Sequence, residues 1–247
     1  MGLVIHQGVP YMQDLDSFLK SQKPTALRPL LGLTVLLVED SLTACEAIRL
    51  MCIRSGARIR RADCIESALR HLKIYRPSLI LIDMGLPDGS GADLIAELAQ
   101  TTPRVETILG ISADPDTHNA AIAAGADGFI EKPLRSLAEF HAGVLKFLPE
   151  HFQPVGPRRV VEDQIEHDEI AMQEDLALAY DLLEDGDQSP ETHRYLATFL
   201  SGVASTARDD ELHALAQKFA RARRMGGSEQ VQLSQNLSQR LAQKSAI

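Results

Sequence analysis

The run Leu79-Ile80-Leu81-Ile82-Asp83, followed by Met84-Gly85-Leu86-Pro87-Asp88-Gly89-Ser90-Gly91, constrains the fold of this chain more than any other stretch. Four apolar residues in a row predict a strand covered on both faces, as in the parallel sheet of an α/β domain, and the Pro/Gly-rich run after them predicts a loop. Asp83 then falls at the carboxyl end of a central strand, the edge of open α/β sheets where ligands bind. An Asp after an apolar run can equally be the cap of the next turn. Its meaning depends on what ends the other strands.

Leu33 to Val38 is a second apolar run, closed by Glu39-Asp40. Ser41 is placed to cap a helix whose inner face carries Cys45, Ile48 and Cys52. Residues 58–62 read as a weaker strand, 65–75 as a helix, 79–83 as the central strand, 92–99 as a helix and 105–112 as a strand. An Ala-rich helix spans 117–124, Gly125 ends it as a C-terminal cap, and 128–130 is a short fifth strand. Leu137, Phe140, Val144 and Leu148 mark a fifth helix. Five strand–helix alternations predict a parallel sheet with helices on both faces and right-handed crossovers.

In this reading Glu39 and Asp40 end the first strand, Asp83 the third and Ser112 the fourth, and Lys132 follows the fifth. All lie at one edge. Each has a bland reading alone: a helix-capping acid pair, a loop hydroxyl, a solvated lysine. Together, three carboxylates at strand ends repel one another unless a cation neutralises them. Magnesium prefers one or two carboxylates, water and a phosphate, while a lysine and a hydroxyl can bind phosphate oxygens. The set calls for phosphoryl transfer to Asp83.

Residues 33–148 resemble the receiver domain of bacterial two-component response regulators. The resemblance rests on Val35-Leu36-Leu37-Val38-Glu39-Asp40-Ser41, the Asp83 segment with Leu86-Pro87-Asp88-Gly89-Ser90-Gly91, Ser112-Ala113, Ala124-Gly125-Ala126-Asp127-Gly128-Phe129 and Glu131-Lys132-Pro133-Leu134. It implies a flavodoxin-like (βα)5 fold with strand order 2-1-3-4-5. It also implies that Asp83 is the phosphoacceptor, and that Glu39 and Asp40 bind Mg²⁺ with Asp83 and the backbone carbonyl of Gly85 as further ligands. Ser112 would be the hydroxyl that moves toward the phosphoryl group, Phe129 the aromatic switch and Lys132 the site lysine, with a cis Lys132-Pro133 peptide. Met84, Gly85 and Asp114 fall at positions variable in that family and leave the phosphoryl lifetime open.

The expected division is an extension at 1–30, the receiver at 31–149 and an all-helical output region at 150–247, which resembles no output family. The extension carries Tyr11, Leu15, Phe18 and Leu19 at helical spacing. Pro149, Pro154, Gly156 and Pro157 mark a linker. Beyond it Val161, Ile165, Met172, Leu176, Ala179 and Leu183 form one helical stripe. Ser189-Pro190 opens a helix with Tyr195, Phe199 and Val203, Leu212, Leu215 and Phe219 serve a third, and Leu233, Leu237 and Leu241 a polar fourth. His167, His193 and His213 fit no phosphotransfer motif and read as surface residues. The region is expected to dock against, or pair across, the surface of the fourth helix, fifth strand and fifth helix, and a homodimer is compatible with this.

The net charge is -9, which argues against general affinity for nucleic acid or anionic membrane. The Arg221, Arg223, Arg224 cluster reads as a solvated helix end. Cys45, Cys52 and Cys64 suit a reduced protein, and no apolar stretch is long enough to span a bilayer, so a cytoplasmic location is expected. The expected function is a response regulator, fed by a histidine kinase or phosphotransfer protein and acting through an unknown protein partner of its helices. It is not an enzyme beyond the receiver's own phosphoryl transfer and self-dephosphorylation. The alternatives are a transcriptional regulator with a DNA-binding output and, from another class, an Mg²⁺-dependent Asp-nucleophile phosphatase. Such phosphatases usually carry a second Asp two residues on, where this chain has Gly85. A degenerate receiver acting as a scaffold is disfavoured because every chemical group is present.

Overall fold

A computed structural model of the chain describes residues 23–156, 163–166, 168–185, 189–222 and 227–245. The expected helix of Tyr11 to Leu19, His167, Arg223 and Arg224 lie outside the described residues. The strands are β1 (Thr34–Val38), β2 (Arg58–Ala62), β3 (Leu79–Asp83), β4 (Thr107–Ser112) and β5 (Gly128–Glu131). They form one parallel sheet in the order β2-β1-β3-β4-β5. The helices between them are α1 (Leu42–Arg54), α2 (Ile65–Ile74), α3 (Gly91–Gln100), α4 (His118–Ala124) and α5 (Leu137–Leu145). This is the flavodoxin-like α/β architecture. A short hairpin that the sequence does not announce, Gly85–Leu86 against Gly89–Ser90, occupies the loop after Asp83.

The continuous apolar run of β3 is explained by its position. Leu79 and Leu81 face one core, with Val35, Leu37, Met51 and Phe140. Ile80 and Ile82 face the other, with Leu36, Val38, Leu94, Ile95 and Ile108. Side chains alternate across a strand, so a strand with helices on both sides needs apolar residues at every position.

Helix starts follow the capping chemistry. Ser41 accepts from the Ala44 amide, Cys64 from Ser67, Ser90 from Ala92 and Ser136 from Glu139. Gly125 closes α4 at φ 105°, a backbone conformation that disfavours any residue with a Cβ.

Four helices follow: α6 (Glu169–Glu184), α7 (Pro190–Thr206), α8 (Asp210–Ala222) and α9 (Gly227–Ser245). They enclose a third core of Leu176, Leu196, Leu200, Phe199, Val203, Leu212, Phe219, Leu237 and Leu241. Three expectations need correction. The stripe from Ile165 to Leu183 is not one helix, because Asp168 caps α6 and Gln164 bridges to Ser136, which places Ile165 in the sheet's own core. His193 is buried rather than at the surface: it stacks on Phe219 at 3.9 Å and hydrogen bonds to the Phe219 carbonyl at 2.8 Å. Finally, the segment 163–165 meets the start of α5, but α6 and α7 seat on α1 and on the hairpin after β3. The helical unit therefore lies at the carboxyl edge of the sheet.

Gly91 joins that hairpin to α3, and a Cβ built on it would sit 2.0 Å from the Asp83 carbonyl oxygen and 2.9 Å from the Met84 Cα. Backbone cannot yield as a side chain can. Gly91→Ala is expected to lower stability by roughly 3 kcal/mol, the upper part of the overpacking range. Urea unfolding should show this as a lower midpoint at an unchanged slope.

Candidate functional site

Parallel strands all end at the same edge, so the residues just past their last hydrogen bonds meet there. Glu39 and Asp40 leave β1, Asp83 ends β3, Ser112 ends β4, and Lys132 follows β5. Glu39, Asp83 and Ser112 are buried, at 1%, 3% and 0% exposure. The Lys132 ammonium lies between two of these carboxylates, 2.6 Å from Asp83 Oδ1 and 2.9 Å from Glu39 Oε2. The Gly85 amide donates to Asp83 Oδ2 at 2.7 Å, and the Ser41 amide to Glu39 Oε1 at 3.3 Å. The Lys132-Pro133 peptide is cis. Ser112 Oγ accepts from the Asp114 amide at 3.1 Å. Phe129 is half-buried, its ring edge-on to His118 at 5.3 Å.

One cation does not balance this set. Burial pushes the Glu39 carboxyl up to about 8 against the pull of Lys132, with Asp83 and Asp40 adding to the rise. Asp40 is raised to about 6, first by burial and then by the charge of Asp83. Burial alone would lower Lys132, but Asp83 and Glu39 outweigh it and hold the ammonium charged. Excess negative charge at a water-poor edge favours an added proton or an added cation.

The donors are all oxygen, which suits a hard divalent ion. Asp40, Asp83 and Glu39 fit such an ion by chemistry and by their mutual repulsion, and a backbone carbonyl such as that of Gly85 is of the same donor type. In the present arrangement Lys132 takes Glu39 and one oxygen of Asp83. Accordingly, no three acidic, histidine or cysteine side chains among the described residues converge on a ready-made cation site.

The helical unit contributes groups that the sequence reading had not assigned to this site. The Tyr195 hydroxyl donates to Asp40 Oδ2 at 2.6 Å. Burial and the neighbouring Asp40 both raise that phenol above its ordinary range. Asp175, itself buried, accepts from Ser41 Oγ at 2.8 Å, the Leu42 amide at 2.8 Å and the Thr43 amide at 2.9 Å. It thereby completes the cap of α1, satisfying amides that Ser41 leaves open. A sequence signal did exist, because Asp175 interrupts the apolar stripe of α6 beside Met172, Leu176 and Ala179, where a carboxylate needs a partner. Thr198, Phe199 and Gly202 of α7 close over Asp83 and Lys132, leaving a space of about 10 Å³. Beside it, past Asp40 and Tyr195, runs an open groove of about 1230 Å³ between the hairpin and α6–α7.

Residues 35–143 match the family model of the response regulator receiver domain. The chain is 30% identical over 128 residues to the KDP operon transcriptional regulatory protein KdpE of Escherichia coli, covering 52% of this chain and 56% of that one. It is 35% identical over 116 residues to the cell cycle transcriptional regulator CtrA of Caulobacter vibrioides, covering 44% and 49%. The chain thus spans about half the length of these curated relatives. A putative response regulator from Chloroflexus aurantiacus is similar in structure, with a TM-score of 0.44 and 27% identity, over 47% of this chain and 96% of that one.

Removing the Lys132 ammonium would leave two buried carboxylates without a counter-ion. Lys132→Ala is expected to cost about 3 to 5 kcal/mol near neutral pH. A carboxyl whose folded pKa is raised loses stability as pH climbs from its ordinary value to the raised one. Losing the lysine's pull raises Glu39 further still, so the deficit should grow as pH climbs past about 8 and be smaller below it, which urea melts on both sides of that value will show.

Proposed function

We propose that this chain, whose residues 35–143 are a response regulator receiver domain, is a two-component response regulator in which Asp83 accepts a phosphoryl group from a histidine kinase or phosphotransfer protein. The receiver is assigned to 31–149 and the output to the helices of 150–247. The observation that carries this reading is the Lys132 ammonium bonded at once to Asp83 and Glu39 at the carboxyl edge.

In the reaction an Asp83 carboxylate oxygen attacks phosphorus in line, the bond from phosphorus to the donor nitrogen breaks, and an acyl phosphate forms. Mg²⁺ held by Glu39, Asp40, Asp83 and the Gly85 carbonyl would offset the charge gathered between the carboxylates and the incoming group. Lys132, already at Asp83, can follow a phosphoryl oxygen with little movement. The Ser112 hydroxyl can donate to a second oxygen, and its shift would open room for Phe129 to turn inward. The chain's own chemistry then ends with hydrolysis of that bond.

For the output, we favour contacts with protein. The names of the relatives favour a second reading, a DNA-binding output. Against it, α6 is rich in acid and acidic residues begin α7 and α8, and a nucleic-acid surface rests on clustered Lys and Arg. A gel-shift with mixed duplex DNA at low salt is expected to show no retention. Among the described residues no helix is long and apolar enough to cross a membrane, and we place the protein in the cytoplasm with its donor.

Asp83→Asn is expected to abolish labelling by acetyl phosphate in Mg²⁺, because an amide is not a nucleophile, and chelation of the metal should do the same to the wild type. Full labelling of the variant would overturn the assignment of the acceptor. Cation affinity should also track the protonation of Glu39 and Asp40. With Glu39 raised to about 8 and Asp40 to about 6, Mg²⁺ must displace one proton below about pH 8 and a second below about 6, so calorimetric titration should show binding weaken by roughly tenfold per pH unit between those values and more steeply below them.

A further inference from the structure

A phosphoryl donor can reach Asp83 from one side. Both faces of β3 are sealed by the two sheet cores, and β1 and β4 flank it, so the carboxyl edge is the remaining approach. In this structure α7 stands across that approach. Its small residues allow it to come close: Thr198 Cγ2 would lie 3.1 Å from a Cβ at Gly85, and a Cβ at Gly202 would lie 3.9 Å from Lys132 Nζ. The space left over Asp83, about 10 Å³, is room for roughly one water. A phosphoryl group flanked in line by its donor needs several times more.

The contact is chemical as well as steric. Tyr195 holds an Asp40 oxygen at 2.6 Å, and Asp175 binds the first turn of α1 through three hydrogen bonds. A hydrogen bond to a charged carboxylate is stronger than one between neutral groups, and each of these joins α6 or α7 to the segment that follows β1.

We propose that the face of α6 and α7 carrying Asp175, Tyr195, Thr198 and Gly202 is a receiver-binding surface whose occupant is this chain's own acidic edge, so that the helical unit sits in the phosphodonor's seat. Tyr195 competes with a divalent cation for Asp40. Thr198 and Gly202 exclude the donor, and phosphorylation requires α7 to leave. A kinase or phosphotransfer protein must then displace α7, and the released face becomes available to a partner when the phosphoryl group is in place. The proposal rests on Asp83 being the phosphoacceptor.

Acetyl phosphate labelling of the full chain with Mg²⁺ would be timed for the wild type, Tyr195→Phe and Asp175→Asn, all three checked for equal folding by urea melts. Hydrogen exchange would be followed with and without beryllofluoride. Both variants should be labelled faster, by about 5- to 150-fold if the contact has an ordinary coupling energy. Beryllofluoride should lower protection in 190–206 and in the first turn of α1. If Asp83 is labelled in every chain at the wild-type rate, and exchange in 190–206 ignores beryllofluoride, the occlusion is wrong while the acceptor assignment stands. If neither variant is ever labelled and none of the chains binds beryllofluoride, the acceptor assignment falls and the occlusion with it.

Discussion

The lysine between two carboxylates is the interaction on which the rest of this molecule depends. Lys132 Nζ, 2.6 Å from Asp83 and 2.9 Å from Glu39, ties the loop after β5 to the ends of β3 and β1. Such a buried cluster is poor evidence of stability, since desolvation costs about as much as Coulomb attraction returns. Its value lies elsewhere. Glu39 remains raised to about 8 with the lysine in place, and Asp40 to about 6. The edge therefore carries a standing demand for positive charge that the fold alone does not meet.

The same demand explains how the helical unit attaches. An isolated helix leaves its first amides unsatisfied, and the first turn of α1 stands directly after the acid pair. Asp175 supplies the missing acceptor, and Tyr195 supplies a proton donor to Asp40. These groups satisfy locally what a cation and a phosphate would satisfy in another state. In the proposed exchange two sets of partners compete for one edge, and the second requires α7 to leave its present place.

Much of the receiver could be read from the chain because its signals are local. A both-sided apolar run identifies β3, Ser41 and Gly125 mark helix ends, and strand ends alone bring Glu39, Asp40, Asp83, Ser112 and Lys132 to one edge. The parallel sheet then converts sequence order into a site. The seat of the helical unit was not legible, because it depends on pairs such as Ser41 with Asp175, 134 residues apart. Tyr195 beside Phe199 satisfies helical spacing and passes for a core residue, although its hydroxyl ends on Asp40. Ile165 continues the period of α6 yet belongs to the sheet core, since periodicity cannot see where Asp168 starts the helix. His193 fits a surface histidine by sequence, and stacking on Phe219 across the bundle decides otherwise.

The choice of small residues on α7 follows from that competition. A helix that covered the edge with bulky apolar side chains would bury Asp83 irreversibly, since large contact areas at about 25 cal/mol per Å² outweigh what a cation and a phosphate can return. Thr198 and Gly202 do the opposite: they let the backbone approach while contributing little apolar area of their own, and Phe199, which also lines the space, belongs to the helical unit's own core. The firm contacts are then the polar ones, Tyr195 to Asp40 and Asp175 to α1, and these are the contacts that added positive charge or a phosphoryl group at the edge can replace. A seat held by replaceable hydrogen bonds over a close but weakly adhesive helix face can be vacated, which the proposed phosphoryl transfer to Asp83 requires.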